Sequence, residues 1–256
     1  MDHPGRALLA FPSSGHDISS RFMRSLTELE TFDREYAVMQ WEKAGAPDQP
    51  TPLDLRMLDN YLCVESGANI TKARNRAVAV FLDEYPQCQW LWFCDTDMVF
   101  EPDLLHRLVA RAIQTDTKIL GGLCVIQTAE GLIPTLFSDD PETVTQVLLD
   151  WPDDVVAEVG ATGTGCLLIH REVFETMREN ADGSNNCWFG EEIRYGESGS
   201  EWWIGEDITF CLRAREHGYT VHVDCTTHVG HHKGPRVLWP ADVRDEPVKV
   251  LDVSGT

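Results

Sequence analysis

Positive charge is scarce in this sequence: 21 lysines and arginines stand against 42 aspartates and glutamates, for a formal net charge of −21. A field of that sign repels phosphate backbones and anionic lipid, so duplex nucleic acid is disfavoured as a partner. Long apolar runs are missing too, and no stretch approaches the roughly 18–20 residues that cross a bilayer. No membrane span is expected. The opening MDHPGRALLAFPSSG lacks the basic start and extended apolar core of a secretory signal, which predicts a cytoplasmic protein. The eight cysteines (63, 88, 94, 124, 166, 187, 211 and 225) include no CxxC pair. Several sit in apolar runs such as LWFC and GCLLI, where a reduced thiol acts as a small hydrophobe, so no disulfide framework is expected. Neither the GxxxxGK[ST] phosphate loop nor the GxGxxG dinucleotide loop is present, and no internal repeat or low-complexity tract occurs.

What is there is an ordinary globular composition, 43% hydrophobic over 256 residues, enough to bury a substantial core. RALLAF is a short apolar run that ends in PSSG, a strand followed by a loop. In DISSRFMRSLTELETF, Ile18, Phe22, Leu26 and Leu29 recur three or four apart, an amphipathic helix with Asp17 as its expected N-cap. EYAVMQW is expected to be the second strand. KAGAPDQPTPLD, residues 43–54 with three prolines, is expected to be a loop. NITKARNRAVAVFLDEY places Ile70, Ala73, Ala77, Val78 and Phe81 on one helical face. CQWLWFC is the next strand, PDLLHRLVARAIQ a helix with Pro102 at its first position, and KILGGLCVI another strand. This alternation predicts an α/β fold, a mainly parallel central sheet flanked by helices. Farther on, SDDPETVTQVLLDWPDD reads as acidic helix and loop, and GATGTGCLLIHREVFETM as glycine turn, buried strand and helix. EDITFCLRAREHG is a helix closed by Gly218, and YTVHVD a strand. A single domain over residues 1–235 with an irregular tail over 236–256 is the expected division.

Ligands of open α/β sheets sit beyond the carboxyl ends of the strands. Asp95 and Asp97 stand at such an end, two apart, so their carboxylates face the same way on extended chain. Hard oxygen donors suit Mg²⁺ or Mn²⁺, which keep waters and share substrate phosphates; a helix-capping turn is the plainer reading. Lys72, Arg74 and Arg76 cluster near a helix start, where anions are favoured. Lys72 and Arg76 fit a solvated face, whereas Arg74 and Asn75 fall close to the buried stripe, and Arg can grip phosphate oxygens with two prongs. Gly163 and Gly165, around Thr164, mark a tight turn where backbone closely approaches a ligand or a neighbouring strand. Glu206 and Asp207 open a helix, where carboxylates either cap the end or serve as a general base. Trp202 and Trp203, just upstream, offer flat apolar faces to a sugar ring. In DCTTHVGHHK, one imidazole among His228, His231 and His232 can complete the coordination begun by Asp97. A zinc site from Cys225 and two of these histidines matches no strong spacing.

Taken in order, LLAFPSSG, ARNRAV, LWFCDTDM, GTGCLLIHREVF, GEDITFCLRAREHGY and HVGHH resemble glycosyltransferases of the GT-A fold, nearest to the small soluble ones of bacteria and bacteriophages. The resemblance implies a Rossmann-like GT-A domain, a nucleotide-diphosphate sugar donor (a UDP-sugar foremost) and a divalent metal, Mn²⁺ or Mg²⁺. By that likeness DTD is a DXD motif: Asp97 ligates the metal, Asp95 meets ribose or a metal-bound water, and His228 of HVG is the second protein ligand. Pro12, Ser13, Thr96 and Gly163 belong to the donor pocket, with Arg74 and Asn75 near ribose or diphosphate. Asp207 or Glu206 is the catalytic base, and Trp202 and Trp203 face the acceptor. The implied reaction is inverting transfer to a hydroxyl on a glycan, a protein or a modified base. Two rivals share some of these features. A sugar nucleotidyltransferase normally carries a glycine-rich loop with Arg or Lys where FPSSGHD stands. A non-catalytic nucleotide-sugar or carbohydrate-binding protein would tolerate loss of Glu206 and Asp207.

Overall fold

The computed structural model describes residues 5–13, 18–67, 69–129, 131–138, 146–181, 184–195 and 201–245, and over these the chain alternates strand and helix from Arg6 onward. The first half comprises β1 (Arg6–Ser13), α1 (Ser20–Lys43), β2 (Leu58–Glu65), α2 (Ile70–Glu84), β3 (Cys88–Cys94), the short β4 (Met98–Val99) and α3 (Leu104–Gln114). Then follow β5 (Ile119–Leu123), β6 (Val125–Gln127), β7 (Leu132–Pro134), β8 (Val156–Val159), β9 (Cys166–His170) and α4 (Arg171–Asn180). The last stretch holds β10 (Glu192–Tyr195), β11 (Glu201–Ile204), α5 (Glu206–Glu216), β12 (Val221–His228), β13 (Gly230–Lys233), β14 (Arg236–Leu238) and α6 (Pro240–Asp245).

Seven strands form the central sheet in the order β2-β1-β3-β9-β5-β12-β8. The pairs β1–β2, β1–β3 and β5–β12 are parallel, and only β9 and β8 run against the rest. The mainly parallel α/β sheet expected from the sequence is therefore present. Alternation along its strands splits the core in two. Leu8, Ala10, Leu91 and Phe93 point into one apolar layer with Phe81 of α2, Phe174 of α4 and Phe210 of α5. Leu9, Phe11, Trp90 and Trp92 point into the other, against Phe22 and Leu26 of α1 and Leu105 and Leu108 of α3. Every strand of the sheet's centre is thus buried on both faces, which is why WLWFC reads as a continuous apolar run.

Several local expectations are corrected. EYAVMQW is helical, because α1 runs on to Lys43: Leu29, Asp33 and Ala37 continue its buried stripe, and no Gly or Pro interrupts it before Gly45 at φ +87°. The second strand is instead LDNYLCVE, an edge strand whose half-exposed pattern hides its periodicity until β1 pairs with it. Part of the proline-rich segment is ordered too, as a 3-10 turn over Pro52–Leu55. Finally, α3 starts at Leu104 after Asp103, so Pro102 precedes the helix. The N-cap of α1 is Ser19, whose Oγ accepts from Arg21 and Phe22 N–H, and Asp17 lies outside the described residues. The described part of the acidic segment, 146–154, contains no helix, and residues 139–145 lie outside the described set. Within 236–256, β14 and α6 are ordered, and Leu238 and Val243 join the core.

A buried carboxylate fastens the sheet edge. Asp33 of α1 is fully buried and accepts from Met57 N at 2.8 Å, Leu58 N at 3.2 Å, Arg56 Nε at 3.1 Å and His106 Nε2 at 2.8 Å. Burial alone would raise its carboxyl. The His106 hydrogen bond, the Met57 N–H and the charges around it overcome that and hold it below its ordinary value. Asp33→Ala strands two buried backbone donors at the entry to β2, so a loss of about 3 kcal/mol and a Tm lowered by roughly 10 °C are expected in thermal denaturation. Because the folded-state carboxyl is depressed, this contribution is present above the unfolded-state value near pH 4 and is lost as pH falls through the folded one. At the far end of α2, Arg171 donates from Nη2 to Phe81 O and Tyr85 O, from Nη1 to Leu82 O and from Nε to Cys88 O. Its guanidinium gathers carbonyls at the C-terminal end of the helix and the start of β3, and lies over the Phe81 ring at 4.2 Å. That clamp fixes the helix that carries Arg74.

Candidate functional site

The acids that end β3 are held by their backbone. Asp95 N donates to Gly165 O at 3.0 Å, and Met98 N donates to Asp95 O at 3.0 Å. Thr96 O accepts from Ser19 N at 3.0 Å, and Asp97 O accepts from His232 N at 2.8 Å. The loop is thereby tied through its backbone to α1, to the turn before β9 and to β13. Beyond it, β4, β13 and β14 form a separate small sheet in which His231 sits opposite Met98. This pairing delivers an imidazole to the acid loop.

The imidazole is that of His231. Its Nε2 lies 3.0 Å from Asp97 Oδ2, and its Nδ1 lies 2.8 Å from Val125 O. A carbonyl can only accept, so Nδ1 carries a proton and donates, and Nε2 is the nitrogen turned to Asp97. This corrects the expectation for His228, which is exposed and whose Nε2 sits 3.0 Å from Cys225 O. His232 is used structurally, with Nδ1 2.7 Å from Ser19 Oγ. Lys233 Nζ also donates to Asp97 Oδ2, at 2.8 Å. Burial would raise the Asp97 carboxyl, but the hydrogen bonds and charges of His231 and Lys233 bring it down to about 2.

A second cluster faces the first across a cleft of about 300 Å³ lined by Arg74, Asp95, Gly163, Thr164, Gly165, Glu206, Asp207 and His231, with an apolar wall of Val125, Ile126 and Phe137. Arg74 is almost wholly buried and bridges two carboxylates: Nη1 donates to Glu206 Oε1 and Nη2 to Asp95 Oδ1 at 3.2 Å. A buried guanidinium between two acids is neutralised on both sides, as its desolvation requires. Glu206 is thereby committed to Arg74. Asp207, the next residue, is half-buried in the first turn of α5, and its Oδ1 accepts from Ile208 N at 2.8 Å. Burial pushes its carboxyl up, the neighbouring Glu206 charge adds to this, and Arg74 pulls part of it back.

Other expected residues lie elsewhere. Asn75 is buried and spends its amide on backbone, donating to Phe189 O at 2.9 Å and Thr71 O at 3.1 Å and accepting from Phe189 N at 3.1 Å. It anchors the segment before β10 and has nothing left for a ligand. Pro12 and Ser13 end β1 outside the cleft lining, and Ser13 O accepts from Ser66 N and Oγ. Trp202 and Trp203 lie on β11, paired with Arg194 and Ile193 of β10, 49% and 68% exposed. They also stand outside the lining of the cleft. None of the eight cysteines is in a disulfide, and the buried thiols of Cys94 and Cys124 are pushed well up by burial, which leaves them unreactive. Thr164 was legible only as the middle of a turn. Its hydroxyl, like Arg74 Nε, is buried without a hydrogen-bond partner among the described residues.

The donor set suits a hard divalent cation in one particular way. Among the described residues no three His, Cys, Asp or Glu side chains form a ready-made cage. Asp97 with His231 could supply two protein ligands, and Mg²⁺ or Mn²⁺ at such a site would take the rest from water and substrate phosphate. The Nδ1–H bond to Val125 O is the outer contact that fixes a ligating histidine in the right tautomer.

No protein-family model and no curated protein matches the sequence. Solved structures do. The crystal structure of A197 from STIV matches with a TM-score of 0.53 and 19% identity, over 92% of this chain and 91% of that one. The crystal structure of GalNAc-T7 with UDP, GalNAc and Mn²⁺ matches with a TM-score of 0.52 and 14% identity, over 90% of this chain and 44% of that one. At these identities the likeness concerns the fold. The class it defines is a GT-A-like fold in one domain, the architecture of glycosyltransferases. Among the described residues no helix is long and apolar enough to cross a membrane.

Proposed function

We propose that this protein is a metal-dependent glycosyltransferase that moves a sugar from a nucleotide-diphosphate donor, UDP foremost, to a hydroxyl acceptor with inversion. The observation that carries the reading is the convergence on one cleft of His231, which is paired with Asp97 just behind it, the Arg74-bound Asp95 and the Asp207 carboxyl. The choice of UDP and Mn²⁺ is supported by the GalNAc-T7 structure, which contains both. Asp97 Oδ2 and His231 Nε2 would hold the cation, with Asp95 reaching it through water. When bound, the cation stabilises the negative charge that builds on the leaving diphosphate.

The remaining work falls to side chains on the page. Arg74 presents a guanidinium beside Asp95, where the diphosphate must lie, and adds fixed positive charge to the same oxygens. Lys233 must turn away from Asp97 Oδ2, which its half-exposed, flexible stem allows. Asp207 takes the proton of the acceptor hydroxyl as that oxygen attacks the anomeric carbon, and its raised carboxyl brings it closer to working pH as a base. Trp202 and Trp203, exposed just ahead of α5, offer aromatic faces to the acceptor. Calorimetric titration with UDP, GDP and ADP, with and without Mn²⁺, tests the reading. UDP binding that requires Mn²⁺ is the expected result; no nucleotide bound under either condition overturns it.

A further inference from the structure

Most buried hydroxyls in a folded protein have a partner, so one that lacks it marks strain or a missing ligand. Thr164 is 1% exposed, and its Oγ1 has no partner among the described residues. Its location says what is missing. Thr164 lies in the turn Gly163-Thr164-Gly165 on the cleft wall. A side-chain carbon built on Gly163 would stand 3.6 Å from Asp207 Oδ2, and one built on Gly165 would stand 3.8 Å from Asp95 Oδ2. Asp95 N is itself bonded to Gly165 O. The threonine is therefore strung between the end of the cleft that would hold a diphosphate and the carboxylate that would serve as base. In a nucleotide-sugar the piece that spans those two points is the sugar ring. The same cleft is also lined by Val125, Ile126 and Phe137, whose apolar surface suits the carbon face of such a ring.

We infer that Thr164 is a donor-sugar contact, its hydroxyl paired with a ring hydroxyl of the bound hexose; the inference rests on the nucleotide-sugar reading above. A small rotation of the threonine about χ1 completes the bond. The contact should set which hexose is accepted, because an analogue without the matching hydroxyl leaves a buried polar group unpaired.

Calorimetry with UDP and with UDP-glucose, UDP-galactose and UDP-N-acetylglucosamine, in the presence of Mn²⁺, tests this on the parent, Thr164→Val and Thr164→Ser. Thr164→Val keeps the shape and removes the hydroxyl. It should leave the Kd for UDP unchanged, weaken the preferred UDP-sugar by about tenfold, and raise Tm by about 2–4 °C because a buried unpaired hydroxyl is gone. Thr164→Ser should restore sugar discrimination. Equal affinity of Thr164→Val and parent for every UDP-sugar overturns the inference, as does an equal loss for UDP and UDP-sugars. A lowered Tm shows that the hydroxyl is already bonded within the fold, which overturns it as well. Failure of the parent to bind UDP strikes the nucleotide-sugar reading itself, a result distinct from all of these.

Discussion

Asp207→Asn is expected to bind UDP and Mn²⁺ as the parent does and to transfer sugar about 10³-fold more slowly. The asparagine keeps the size of the side chain and an oxygen for the Ile208 N–H that the carboxylate accepts at 2.8 Å, so the first turn of α5 stays capped. What it loses is the ability to take a proton. The loss should fall on kcat and leave donor affinity alone, since Asp207 is no part of the Asp97–His231 pair or of the Arg74 bridge. Two further readouts separate chemistry from damage. A carboxyl raised by burial is strained when ionised, so removing its charge should hold or raise Tm at neutral pH while activity collapses. In the parent, the base must be ionised to work; kcat should fall as pH drops through the raised Asp207 value, and this acid limb should vanish from the residual rate of Asp207→Asn. Glu206→Gln should behave differently. It removes one of the two carboxylates that neutralise the buried Arg74, so it should disturb stability and donor binding as well as rate.

That contrast between adjacent acids was not legible in the sequence. Glu206 and Asp207 share a helix start, and either can cap, pair or accept a proton. Only the arrival of Arg74 from α2, 132 residues earlier, assigns Glu206 to an ion pair and frees Asp207. Arg74 itself was marked by its place on the buried stripe of a helix, a signal carried by 3.6-residue periodicity and therefore readable. Asn75 carried the same signal, but its amide turns to the backbone at Phe189, a partner no local pattern names. The sheet was legible for a related reason. Strands buried on both faces announce themselves as apolar runs, as CQWLWFC and GCLLI do, whereas β2 lies at an edge with Tyr61 and Cys63 exposed and loses that mark. The helix that swallowed EYAVMQW shows the converse error, in which a short apolar segment was read apart from the stripe it continues. The histidine run posed a register problem. Residues 228, 231 and 232 stand close together at the end of β12 and in β13, and the pairing of β13 with β4 decides which ring meets Asp97.

That decision leads to the sharpest test of the metal assignment. Asp97→Ala should abolish Mn²⁺-dependent UDP binding, weakening it about 100-fold or more, and His231→Ala should do nearly the same, while His228→Ala should bind as the parent. The loop will not unravel in Asp97→Ala, because the bonds that shape it run through backbone: Asp95 N to Gly165 O, Met98 N to Asp95 O and His232 N to Asp97 O. Removing the carboxylate therefore deletes a ligand rather than a fold element, and the loss should appear in the Mn²⁺ titration rather than in a broken thermal transition. A modest fall in stability is still expected, with a defined pH signature. The Asp97 carboxyl is held at about 2 in the fold, so its contribution is complete above pH 4 and disappears between there and pH 2; in Asp97→Ala that part of the acid response should be flat. If parent and Asp97→Ala instead bind UDP alike with and without Mn²⁺, the ammonium of Lys233, which donates to Asp97 Oδ2 in the parent, is the working cation. Such a site would neutralise a diphosphate with protein charge alone, and Lys233→Ala would then cause the loss that Asp97→Ala did not.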